Sequence, residues 1–216
     1  MTAGLGNNFI AGSLGKDSIN SVGSYDVIAF NQGDGQDTLS MFFNSHDTLS
    51  LGGGIDYNNL ALSKAGNDLI LKTGGTDQIT IKDWYTCASH GVINMQVIAD
   101  SMAGFKAGGT NATLRDNKVE NFNFAGLVTA FDNARKANPA LTAWSMTNAL
   151  LANHLAADSD SMAIGGDLAY QYAKTGSLAG IGVLAAQGVI NAASFNQSAQ
   201  AINNPTVWQA EVAKLS

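Results

Sequence analysis

Apolar residues in the first 52 positions recur about nine residues apart. Ile10, Ile19, Ile28, Leu39 and Leu49 each stand two places after an acid or amide (Asn8, Asp17, Asp26, Asp37, Asp47), with gaps of nine, nine, eleven and ten residues. This period is neither the 3.6 of a helix nor the 2 of a simple strand. Each unit predicts a Gly-rich turn followed by a short strand whose apolar residue points into a thin core. If successive units alternate between two faces, unit n stacks on unit n+2.

From 58 to 85 the rhythm changes to period two. Leu60-Ala61-Leu62, Leu69-Ile70-Leu71 and Ile79-Thr80-Ile81 predict three strands, separated by turns at Ala65-Gly66-Asn67 and Gly74-Gly75-Thr76. Trp84 and Tyr85 follow as candidates to close an open stacking edge, and Val92 to Ala99 predicts one more strand. A polar loop covers 100–120. The remainder reads as helical: Leu127–Lys136 ending before Pro139, Thr142–Leu155, Asp167–Lys174 with Gly176 as its C-cap, Leu178–Asn191 capped by Ser177, and Thr206–Leu215. The expected fold class is α+β: a short parallel β-roll with capping strands over 1–105, followed by an α-helical domain over 106–216.

Charge sharpens this division. Residues 1–100 carry ten acids and four bases, whereas 101–216 carry seven of each. An acidic repeat half disfavours nucleic acid as a partner. Fifteen of the seventeen acids are Asp, the acid of turns and compact oxygen cages rather than of helix surfaces. Cys87 is the only cysteine, so no intrachain disulfide forms. No run of about 18 apolar residues occurs, so no transmembrane segment is expected. No basic region followed by an apolar stretch opens the chain, so no cleavable signal peptide is expected.

Calcium requires six to eight oxygens at roughly 2.3–2.6 Å, more than one Asp supplies. Two stacked Gly-rich turns offer two carboxylates plus several carbonyls, because Gly permits backbone conformations that aim carbonyls inward. The strongest candidate site therefore pairs Asp17 with Asp37, using the turns that hold Gly12, Gly15, Gly33 and Gly35. Asp34 is a possible extra ligand. On the other edge Asn8 pairs with Asp26, and Asp26 with Asp47. Asn8 is uncharged, and Ser24 and Ser45 stand where the turn Gly would be, so weaker or empty sites are expected there. The competing reading is that Asp in a Gly turn only shapes the turn.

These repeats resemble RTX, the haemolysin-type calcium-binding family. The stretch from Asp47-Thr48-Leu49 through Ile55-Asp56-Tyr57-Asn58-Asn59-Leu60 and Gly66-Asn67-Asp68-Leu69-Ile70-Leu71 to Ile79-Thr80-Ile81-Lys82-Asp83-Trp84-Tyr85 looks like the related segment that follows such repeats. The likeness covers about residues 3–100. It departs at Ser101, where that family has Gly after Ala-Asp. The resemblance implies Ca2+ as cofactor, a secreted protein that folds on calcium after export, and the type I secretion machinery as a partner. An uncleaved export signal would lie in the last ~50 residues.

No Gly-x-Ser-x-Gly, His-Glu-x-x-His or Cys-x-x-Cys occurs, and His46, His90 and His154 are scattered. Asp158-Ser159-Asp160 suits helix capping better than a metal. No catalytic residue is assigned, and the expected function is a noncatalytic calcium-binding C-terminal module of a secreted bacterial protein. The alternative is a structural or adhesive subunit of a surface layer or filament, self-associating head to tail through an uncovered N-terminal roll edge. An enzyme with its chemistry in the helical half is a third reading.

Overall fold

The computed structural model describes residues 1–23, 25–41, 46–87, 91–107, 114–155 and 163–195. Its first five strands are β1 (Phe9–Ala11), β2 (Ser18–Ser21), β3 (Val27–Asn31), β4 (Gln36–Met41) and β5 (Asp47–Gly52). They pair in parallel with the unit two places on: β1 with β3, β3 with β5, and β2 with β4. The repeat period explains this alternation, since each turn carries the chain to the opposite sheet. Ile10 therefore stands beside Ile28, Ile28 beside Leu49, and Ile19 beside Leu39, all buried.

Among the described residues the protein is an α/β fold of two mixed six-stranded sheets with four short helices, and not the expected parallel roll followed by a helical domain. In the first sheet, β6 (Ala61–Ala65), β7 (Asp68–Gly74) and β8 (Asp77–Ile81) form an antiparallel meander, and only β8 joins the parallel strands, beside β4. In the second, β9 (Val92–Val97) extends the parallel run from β5. The half expected to be helical then supplies strands to both. β10 (Glu120–Asn123) pairs antiparallel with β9, β12 (His154–Leu155) with β10, and β11 (Trp144–Ser145) with β6.

Two of the helices, α1 (Phe124–Ala137) and α3 (Gly166–Thr175), pack on the second sheet. α1 is capped by the Asn123 side chain, which accepts the Gly126 N–H, and it packs on β9. The helix expected over 142–155 is replaced by β11, the short α2 (Thr147–Leu150), a 3-10 turn and β12. Edge pairing there overrides helix propensity. α3 (Gly166–Thr175) ends at Gly176 in the left-handed region, as its glycine predicts. α4 spans Val183–Asn191 only, starting five residues later than expected. The helix expected over 206–215 lies outside the described residues.

β3 and β5 are buried on both faces, and α3 is the reason. Ile28, Phe30, Leu49 and Leu51 face the main core between the sheets, whereas Val27 joins a second core with Ala169 and Ala173 of α3. A strand covered on both sides has no solvent face for charged residues, which is why Val27-Ile28-Ala29-Phe30 is continuously apolar. Among the described residues, no helix is long and apolar enough to cross a membrane.

Candidate cation site

The acids of the repeats sit where each turn enters a parallel strand, so the n to n+2 pairing stacks them. Asp17 immediately precedes β2, and Asp37 lies in β4. The Asp17 N–H donates to Asp37 Oδ1 at 2.9 Å, and the Thr38 N–H to the Asp17 carbonyl at 2.8 Å. The second oxygens of the two carboxylates converge over Gly12. A methyl group on Gly12 would lie 2.9 Å from Asp37 Oδ2 and 3.0 Å from Asp17 Oδ2. The absence of a side chain at position 12 keeps the space in front of the acid pair open.

The stacked turns are joined by backbone as well. Gly15 donates to the Asp34 carbonyl at 2.8 Å, and the Gly15 carbonyl accepts from Gln36 at 3.0 Å. The Gly35 carbonyl accepts from Gln78 at 2.9 Å. Each of these two carbonyls thus spends one lone pair on the ladder and keeps one. Gly33 and Gly35 have φ of +93° and +103°, values that suit glycine.

Two more acids close around the turn of 32–35. Asp34 is buried, and its Oδ2 accepts from the Asn31 N–H at 2.8 Å and from the Tyr172 hydroxyl at 3.0 Å. Asp77 Oδ2 accepts from the Gly33 N–H at 2.6 Å. Burial pushes the Asp37 carboxyl up from the ordinary 3.8 to about 6, with the Asp17 and Asp34 charges adding to it and the bond from Asp17 opposing it. Burial, with Asp77 and Asp17 adding, also raises Asp34. Among the described residues, no ion pair reaches Asp17, Asp34, Asp37 or Asp77.

The other edge repeats the pattern with fuller hydrogen bonding. Asn8 donates to Asp26 Oδ1 from both its backbone and its amide, each at 2.8 Å, and the Asp26 N–H donates to Asp47 Oδ1 at 2.9 Å. The Ser21 hydroxyl lies 2.6 Å from Asp26 Oδ2 and 2.9 Å from Asp47 Oδ2. Asn8 and Ser21 therefore occupy much of the acceptor capacity of these two buried acids. Ser24 and Ser45 lie outside the described residues.

Every residue expected at the site is accordingly found on one edge or the other, with Asn8, Asp26 and Asp47 together on one and Asp17, Asp34 and Asp37 together on the second. Among the described residues, no group of three or more His, Cys, Asp or Glu side chains forms a metal cage. A cation at either edge would need the rest of its oxygens from backbone carbonyls or water.

Sequence reasoning missed Asp77, Ser21 and Tyr172. Asp77 had a signal: Gly75-Thr76-Asp77 repeats the Gly-x-acid spacing of Gly15-Lys16-Asp17 and Gly35-Gln36-Asp37. The register of β8 puts Ile79 beside Asp37, however, so Asp77 falls two places away and caps the neighbouring turn. Tyr172 carried no such signal, being 138 residues from Asp34 in the chain.

The residues weighed for catalysis are placed otherwise. His154 Nε2 lies 2.5 Å from Glu120 Oε2, both side chains largely buried, with the Phe122 ring alongside. His46 stacks on Tyr25. Trp84 packs edge-on against Phe124, and Cys87 is a half-buried free thiol. His90 and Asp158-Ser159-Asp160 lie outside the described residues. Neither the protein-family models nor the curated proteins contain a match to this chain. The likeness to RTX therefore rests on the quoted residues.

Proposed function

We propose that this chain is a noncatalytic, calcium-responsive module of a secreted RTX-type protein, and that the first ion binds at Asp17 and Asp37. One observation carries the reading: two stacked carboxylates face the same side-chain-free space at Gly12, with no cationic side chain paired to either among the described residues. Like charges held this close raise each other's energy unless a proton or a cation intervenes. The hard oxygens of Asp and the glycine carbonyls suit calcium, whose flexible coordination tolerates an irregular donor set better than magnesium's octahedron. An extracellular setting would supply the ion, and type I export is the route the resemblance suggests.

Calorimetry and thermal unfolding test this directly, with magnesium as control. Calcium at one hundred times its Kd is expected to stabilise the protein by about 2.7 kcal/mol. The Asp17→Ala/Asp37→Ala double variant should bind no ion at this edge and gain nothing. Identical unfolding in calcium and in strong chelator would sink the reading.

A second reading, self-association into a surface layer or filament, draws support from the outer edge of β1. That strand ends its sheet among the described residues, and Leu5 before it and Leu14 in the turn after it are 90% and 77% exposed. Sedimentation velocity at rising concentration should show a single slow species for the calcium module. Growth into larger species with calcium would favour assembly.

A further inference from the structure

α4 is a largely apolar helix that the fold leaves poorly covered: none of its residues is charged and none is buried. Its Ala185, Gly188 and Val189, spaced three and four apart, share one face, and that face lines a cavity against α3. The two helices come close at Gly166 of α3, where an added methyl would lie 3.1 Å from Val189 Cγ1. A methyl on Gly188 would meet nothing within 4 Å, so the space there stays open. The cavity measures about 650 Å³ and is lined also by Ala163 and Phe195 of the second core. That volume suits a small organic ligand, and the walls suit an apolar one.

Two exposed charges of opposite sign also line it: Lys118, just before β10, and Asp167, in the first turn of α3. Among the described residues no ion pair joins them to each other or to another group. We propose that this cavity binds a zwitterionic amphiphile, with an alkyl chain on the apolar face of α4, the anionic part of its head at Lys118 and the cationic part at Asp167. Charge complementarity selects this occupant. A purely polar ligand leaves the apolar wall in contact with water. A singly charged head satisfies one of the two side chains and meets a like charge at the other, which disfavours it. A head carrying both signs satisfies both. The Lys118 stem can lie along the apolar wall while its ammonium stays in water. Because the chain covers the face of α4 that the fold leaves open, the same ligand holds α4 against α3. The site lies apart from the acid edge and does not depend on calcium.

Calorimetry on the full chain in chelator tests this with dodecylphosphocholine held below its micelle concentration. Dodecyl maltoside supplies the same tail with an uncharged head, and free phosphocholine supplies the head alone. Dodecylphosphocholine should bind at a single site and slow amide exchange over residues 183–191. Phosphocholine should give no heat, and the maltoside should bind more weakly. Lys118→Gln and Asp167→Asn should each weaken dodecylphosphocholine by about threefold and leave the maltoside unchanged. Gly188→Leu should abolish binding by filling the cavity, and since Leu favours a helix over Gly the variant should keep its melting temperature. Gln187→Leu, which adds apolar bulk outside the cavity, should bind as the wild type does. The two charge variants leave the apolar wall intact, so they decide the matter even if Gly188→Leu fails to fold. Absence of dodecylphosphocholine heat in the wild type overturns the proposal. Equal affinity for the two detergents, indifference to both charge variants, or binding that survives in folded Gly188→Leu overturns it as well, because each describes unspecific apolar contact.

Discussion

Gly35→Ala is expected to destabilise the protein by about 3 kcal/mol or more, the largest effect of any single added methyl at this edge. Two costs combine. Position 35 has φ +103°, where an L side chain is strained by roughly 1–2 kcal/mol. The new methyl would also lie 2.2 Å from the Gly15 carbonyl oxygen, a backbone atom fixed by its bond from Gln36. Moving that oxygen separates the two turns that stack Asp17 on Asp37. Gly66→Ala supplies the control, since position 66 has φ +59° and open space around it. That variant should lose only the strain, about 1–2 kcal/mol. Urea unfolding of both proteins measures the difference, and equal midpoints would show that the turns do not approach this closely.

Asp37→Asn should reverse its effect on stability with the addition of calcium. In chelator, the folded protein holds a proton on Asp37 up to about pH 6, whereas the unfolded chain releases it near 3.8. The folded state binds more protons across that window, so the stabilising contribution is complete below it and is lost as pH rises through it. After allowance for solvent screening, the loss amounts to about 1–2 kcal/mol. Asp37→Asn cannot ionise and keeps an oxygen to accept the Asp17 N–H. In chelator at pH 7.5 it should therefore be more stable than the wild type by about that amount, and its stability should fall less between pH 4 and 7. In calcium the order inverts, because only the wild type gains from binding. Thermal unfolding at several pH values, with and without calcium, measures both halves. A variant less stable than the wild type in chelator would mean that the buried charge is already compensated.

The acid edge was largely legible in the chain. Gly-x-acid spacing named Asp17 and Asp37, and the nine-residue period implied that they stack. The same spacing marked Asp77, but register decided that it caps a turn instead of joining the pair. Tyr172 illustrates the limit from the other side. A tyrosine in a helical stretch reads as core, and only the docking of α3 on β3 and β5 brings its hydroxyl to Asp34.

The sequence by itself determined the local elements whose signal is short-ranged: the five repeat strands, the inward row from Ile10 to Leu49, the hairpins of β6 to β8, and the glycine stop of α3. These follow from periodicity and from backbone freedom, which act within a few residues. Tertiary structure decided the architecture. Glu120–Asn123, Trp144–Ser145 and His154–Leu155 became strands because sheet edges offered hydrogen-bond partners that a polar loop or an isolated helix lacks. α3 docked on β3 and β5 because their outer faces needed apolar cover that their own sequence could announce but not provide.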